Sequence, residues 1–152
     1  MNYENLLIEA EKAGVIVKEV ELITSDGFCL GDRIAINKKL KTAAEKACTL
    51  SEELGHFKKT VGDITDQSKL SNRKQELIAR RWGYSRLVGI SDLINAYEHG
   101  CMNRYEIAEY LNVTELFLEE ALEYCRQKYG MYHSIDKYII YFEPSLGIIK
   151  MF

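Results

Sequence analysis

The run Thr49-Leu50-Ser51-Glu52-Glu53-Leu54-Gly55-His56-Phe57 brings two carboxylates and an imidazole within reach of one another. Residues four apart on an α-helix share a face, so Glu52 and His56 project together, and Glu53, three before His56, lies near the same face. In a His-Glu-x-x-His helix two histidines bind Zn²⁺, and the intervening glutamate takes a proton from the water that the metal activates. Here the first histidine position holds Glu52, and the pattern reads Glu-Glu-x-x-His. The competing reading is an acidic pair on a solvated helix face beside an unrelated histidine. A second carboxylate favours the metal reading: Glu76, in Asn72-Arg73-Lys74-Gln75-Glu76-Leu77-Ile78-Ala79-Arg80-Arg81-Trp82, is expected on a helix that follows a polar loop. Carboxylates are ordinary Zn²⁺ ligands, and metalloproteases of this general type take a third ligand from such a following helix.

Glu52, His56 and Glu76 would thus be the metal ligands, with Glu53 as general base and then proton donor in peptide-bond hydrolysis. Exchanging an imidazole for a carboxylate cancels one more positive charge, so Zn²⁺ held here is a poorer Lewis acid, and reduced or pH-shifted activity is expected. The oxygen-rich donor set also makes Mn²⁺ or Fe²⁺ more competitive than at a two-histidine site, with Zn²⁺ the first expectation.

With these residues in view, the chain resembles the ImmA/IrrE-like metallopeptidases of phages and mobile elements. The resemblance rests on the leading helix, the short sheet with Ile34-Ala35-Ile36-Asn37, the Thr49 to His56 run, the Glu76-x-x-Ala79 helix, and the tail through Phe142-Glu143-Pro144. It implies a protease, or a close relative of one, that acts on a repressor protein and so switches on genes of the element. The departure at Glu52 bears on catalysis more than on fold, which keeps a catalytically silent antirepressor as the leading alternative.

The elements that must position these groups are legible in outline. Leu6, Leu7, Ala10 and Ala13 repeat at helical spacing over residues 3 to 13, and Gly14 supplies a stop. Val15 to Ile23 and Phe28 to Asn37, separated by Ser25-Asp26-Gly27 and interrupted near Gly31-Asp32, predict a small antiparallel sheet packed on the metal helix; a plain structural role is the preferred reading, and an edge that holds an extended peptide the alternative. Ala43, Ala44, Ala47, Leu50 and Leu54 place the Glu-Glu-x-x-His pattern on a helix from about Leu40 to Lys58. Gly55, directly before His56, would let the helix bearing Glu76 approach closely. Gly62 to Asn72 reads as the connecting loop. After Trp82 a helical pattern resumes with Leu87, Val88, Ile90, Leu93, Ile94 and Tyr97, ending near His99-Gly100.

Tyr105 to Thr114, followed by Leu118 and Leu122, resembles a helix-turn-helix, with a turn at Asn112 and Thr114 as N-cap. Its second helix carries Glu115, Glu119, Glu120 and Glu123, which repel phosphates, so a DNA-binding regulator is the second alternative only. His99 is expected at a helix C-terminus and His133 in a loop, neither as ligand. Tyr84 and Tyr97 are read as packing residues in preference to oxyanion donors. Gly130 closes a helix, Tyr138 to Phe142 predicts a strand halted at Pro144, and the apolar end from Leu146 to Phe152 is expected to pack on the protein.

Composition bounds the remaining classes. The chain has 152 residues, 47% of them hydrophobic, enough for one core. A formal charge of −3 provides no global field toward nucleic acid or membrane. Cys29, Cys48, Cys101 and Cys125 show no Cys-x-x-Cys spacing, which fits reduced thiols, and no apolar run approaches a membrane span, so a cytoplasmic protein is expected. Neither nucleotide nor phosphoryl chemistry has a Gly-rich loop to support it. The expected architecture is α+β: a zincin-like metallopeptidase core over residues 1–86, and a helical, helix-turn-helix-like region over 87–152 packed on it as one compact unit.

Overall fold

The computed structural model describes residues 1–59 and 69–152. Helix α1 (Tyr3–Lys12) starts at Asn2, whose side chain accepts from the Asn5 amide while Asn5 returns the bond, and it buries Leu6 and Ala10. Three strands follow, β1 (Ile16–Val20), β2 (Gly27–Leu30) and β3 (Arg33–Asn37), and then α2 (Ala43–Lys59), whose first turn is capped by the Thr42 hydroxyl accepting from the Glu45 amide. Helix α3 (Leu70–Leu87) carries Glu76.

The first sheet is mixed, not antiparallel as the sequence suggested. Its order is β1-β3-β2, with β3 parallel to β1 and antiparallel to β2. The reason lies in the turns. Gly31-Asp32 closes a two-residue hairpin between β2 and β3, whereas Ser25-Asp26 belongs to a crossing segment that carries the chain from β1 to the far side of β3. Buried Asn37 fixes this crossing, its side-chain amide donating to the carbonyls of Leu22 (3.0 Å) and Ser25 (2.9 Å). Ile34 and Ile36 of β3 face the helices and are buried.

The loop expected over Gly62 to Asn72 falls mostly on residues outside the described ones, and its last members, Leu70, Ser71 and Asn72, already lie in α3. Helix α3 also runs past Trp82 without a break. The helical pattern is interrupted instead at Val88-Gly89, where the Gly89 amide donates to the Asp92 carboxylate and opens α4 (Ile90–His99). Helices α5 (Arg104–Leu111) and α6 (Glu115–Tyr129) meet at Asn112, which is left-handed at φ 58°, and Thr114 caps α6 through the Phe117 amide.

The end of the chain forms a second sheet, antiparallel in the order β4 (Tyr132–Ile135), β5 (Tyr138–Tyr141), β6 (Gly147–Lys150). One of its strands was legible in the sequence. His133 sits on β4, not in a loop, its ring 4.4 Å from that of Tyr129. Leu146 and Ile148 of the apolar tail pack on the core, while Met151 and Phe152 stay exposed. A single hydrophobic cluster runs from Leu6 through Leu50, Leu54, Leu87 and Leu118 to Ile140 and Phe142, joining helices and both sheets. All four cysteines are free thiols, and no described helix is long and apolar enough to cross a membrane.

Candidate metal centre

The site is built on the crossing of α2 and α3, the most extensive contact between any two described elements. Small residues make the crossing close. A Cβ on Gly55 would stand 2.3 Å from the Ala79 carbonyl oxygen, and one on Gly83 would stand 3.0 Å from Ser51 Oγ. Ser51 and Gly55 are four apart on α2, as Ala79 and Gly83 are on α3, so two small-residue ridges interlock along one seam. The seam sets His56, next to Gly55, beside Glu76, one turn before Ala79 and Arg80. Near the C-terminal ends of α2 and α3, Glu9 of α1 joins the two helices by accepting from Arg86 (2.7 Å) and Lys58 (3.2 Å).

Glu52, His56 and Glu76 converge as the sequence predicted. Each offers one ligand atom, and these atoms lie within 4.8 Å of one another, with His56 Nε2 3.0 Å from Glu76 Oε2. A four-coordinate ion with ligands at about 2.0–2.1 Å needs donors roughly 3.3 Å apart, so small side-chain adjustments would close the set around Zn²⁺. Two carboxylates and an imidazole are also a donor set that Zn²⁺, Mn²⁺ or Fe²⁺ accepts. The residues present therefore fit a divalent metal.

The proton affinities of the three groups are set by burial and by their pairing with one another. Burial pushes the Glu52 carboxyl up to about 7, aided by its hydrogen bond to Glu76, while Arg80 and His56 oppose the shift. The hydrogen bond from His56 draws Glu76 down to about 2, against burial. Burial alone would lower His56, yet the bond to Glu76 and the surrounding carboxylates leave it raised. Burial and neighbouring charges thus favour the protonated form of Glu52, and the surrounding carboxylates that of His56, protons that a divalent cation would displace.

Glu53 points to the neighbouring strand. It is buried, and burial pushes its carboxyl up to about 7, with His56 pulling down and the charges of Glu52 and Glu76 adding to the rise. Strand β2 presses on it at Gly27, where a Cβ would lie 2.6 Å from Thr49 Cγ2 and 3.1 Å from Glu53 Oε1. Asn37 donates to the Asp26 carbonyl (2.7 Å), which fixes the ladder: main-chain groups of residues 26, 28 and 30 face β3, and those of Gly27 and Cys29 face outward. Among the described residues no strand pairs with this outer edge of β2, which runs beside Glu53.

Two features escaped sequence reading. Arg80 stands over the carboxylates, its Nε 3.2 Å from Glu76 Oε1 and 3.4 Å from Glu52 Oε1. Its position four after Glu76 was the available signal. Gly27 appeared only as turn chemistry, because a close approach between strand and helix leaves no local pattern. Tyr84 behaves as a packing residue, edge-on against Phe117 and donating to Glu120 (2.8 Å), whereas Tyr97 is exposed on α4. His99 ends α4 and stacks on Tyr110. On the helix-turn-helix-like pair, Arg104 is paired with Glu119, and Arg126 with Glu123 and Glu143.

Comparison with known proteins gives a family for the region that carries the site. The family model described as Peptidase_M78, IrrE N-terminal-like domain, matches residues 8–123, which take in both helices of the site and stop short of the second sheet. No curated protein and no solved structure matches the chain.

Proposed function

This chain belongs to the IrrE N-terminal-like domain family of peptidases, and on that premise we propose that it is a metal-dependent endopeptidase acting on a protein substrate. The observation that carries the reading is the convergence of Glu52, His56 and Glu76 across the α2–α3 seam, with Glu53 beside them. Glu52, His56 and Glu76 would hold the metal, Zn²⁺ by first expectation. When bound, it supplies a Lewis acid for the scissile carbonyl and makes a neighbouring water acidic enough to attack near neutral pH.

Glu53 takes the proton of the attacking water on a carboxylate oxygen and hands it to the departing amide nitrogen. Its displaced affinity suits both halves of that task near pH 7. The outward main-chain groups of Gly27 and Cys29 hold the substrate as an added strand along β2, which sets an extended backbone beside Glu53. Packing of β2 on Thr49 and Glu53 keeps water from one side of the carboxylate. By resemblance, the substrate is a repressor of a prophage or mobile element, and its cleavage ends repression.

A second reading is supported by Glu52 itself. A carboxylate in the first ligand position weakens the electrophile, which suits a protein that holds its repressor without cutting it. Elemental analysis of the purified wild type beside Glu52→Ala, His56→Ala and Glu76→Ala tests the site. One metal per chain, lost in all three variants, supports it, and none in the wild type after reconstitution with Zn²⁺ or Mn²⁺ overturns it. Glu53→Gln should keep the metal and lose cleavage, while repressor captured but intact with the metal-loaded wild type selects the second reading.

A further inference from the structure

The Glu-Glu-x-x-His arrangement carries one more negative charge than a two-histidine site, and the structure places one positive charge against that carboxylate. Arg80 approaches the Oε1 atoms of both Glu52 and Glu76, whereas His56 takes Oε2 of Glu76. The guanidinium and a metal therefore have no need of the same Glu76 oxygen. An ordinary surface pair on α3 would stop at Glu76. Arg80 instead spans to Glu52 on the other helix, at the position where the charge is anomalous. With His56 neutral and the carboxylates of Glu52, Glu53 and Glu76 ionised, Arg80 gives the described residues of the site the side-chain charge of one with two imidazoles, one ligand carboxylate and a base, which is the charge a divalent ion balances.

Resting on the metal-centre reading above, we infer that Arg80 is a charge-compensating, positioning residue: it neutralises the carboxylate that replaces the imidazole, weakening metal retention while preserving the electrophilic strength of the ion. Its guanidinium is half-exposed, so solvent screens the effect, and repulsion of a divalent cation a few ångströms away is worth about tenfold in affinity.

The test is the Zn²⁺ affinity of full-length protein, read by competition with a chromophoric chelator at low and high salt. Arg80→Gln is expected to bind Zn²⁺ about tenfold tighter than wild type, with the gap narrowing as salt rises. Arg80→Lys, which keeps the charge, should stay within about threefold of wild type. Arg80→Met is a second neutral replacement should the glutamine variant fold poorly. Equal or weaker Zn²⁺ binding by the neutral variants, with a wild type that binds, overturns the role of Arg80 and leaves the metal centre standing. Absence of Zn²⁺ binding in wild type and variants alike overturns the metal centre and the inference with it.

Discussion

The carbonyl oxygen of Ala79 fills the space where a side chain on Gly55 would begin, at 2.3 Å from the Cβ position. Backbone meets backbone here, and no rotamer can relieve a clash. Gly55→Ala must part the helices, so it is expected to cost about 3 kcal/mol, lower the melting temperature by roughly 10 °C, and weaken metal binding by separating His56 from Glu76. At Gly83 the nearest obstacle is the Ser51 hydroxyl at 3.0 Å, and Gly83→Ala should cost only about 1 kcal/mol. Thermal melts of both variants check the ranking, and equal stabilities would contradict it.

The metal-free protein should lose stability as pH rises from 5 to 8. Glu52 and Glu53 are raised above their unfolded values, so the folded chain holds more protons in this window and each unit of pH works against it. His56 is raised too, and its stabilisation, complete below its unfolded value, is lost as pH climbs through the folded one. Glu76 is drawn down to about 2, so its stabilisation is present above the unfolded value and is lost only in acid, outside this window. Binding of Zn²⁺ needs Glu52 deprotonated and His56 neutral, so the stabilisation it gives should grow over the same range. Melting curves with chelator and with Zn²⁺ at pH 5, 6, 7 and 8 should diverge upward, and parallel curves would refute the protonation scheme.

Tyr84→Phe separates a packing tyrosine from one that takes part in the chemistry. It removes the bond to Glu120 while keeping the ring against Phe117, so the expected loss is about 1 kcal/mol with Zn²⁺ affinity unchanged. Denaturant unfolding and chelator competition together decide it.

Cys29→Pro probes the open edge of β2. Proline has no N–H, and the N–H of residue 29 points away from β3, so the sheet should tolerate the change as edge strands do. Substrate held by strand addition should then bind at least about tenfold more weakly, while metal content stays that of wild type. Undiminished capture of a repressor would show that the substrate lies elsewhere.

The grouping of Glu52, His56 and Glu76 was readable because helical spacing joins Glu52 to His56 locally, and because Gly55 allows a neighbouring helix to come close. The partner helix needed only Glu76 and a helical pattern. What stayed hidden depends on contacts between distant segments. A parallel pairing of β1 with β3 leaves the same alternation in sequence as an antiparallel one, since each strand still buries one face. The strands β4 and β6 are no shorter than β5, but β4 reads Tyr-His-Ser-Ile and β6 Gly-Ile-Ile-Lys, without the unbroken β-branched and aromatic run that marked β5. The helix-turn-helix resemblance followed from Asn112 and Thr114, and both do shape a helical corner. That corner is a way of turning a chain as much as a way of reading DNA.

Asn37 lies outside the chemistry, yet its amide nitrogen is what ties the β1–β2 crossing to the sheet. Chemical ageing acts on that group. Deamidation would exchange a donor to two carbonyl oxygens for a carboxylate facing them, turning attraction into repulsion in a buried place. The crossing would loosen, and with it the strand edge beside Glu53, while α2 and α3 kept their seam. A preparation deamidated at Asn37 would keep the α2–α3 seam while the strand edge proposed to hold substrate loosened, an effect set by one asparagine on the neighbouring strand.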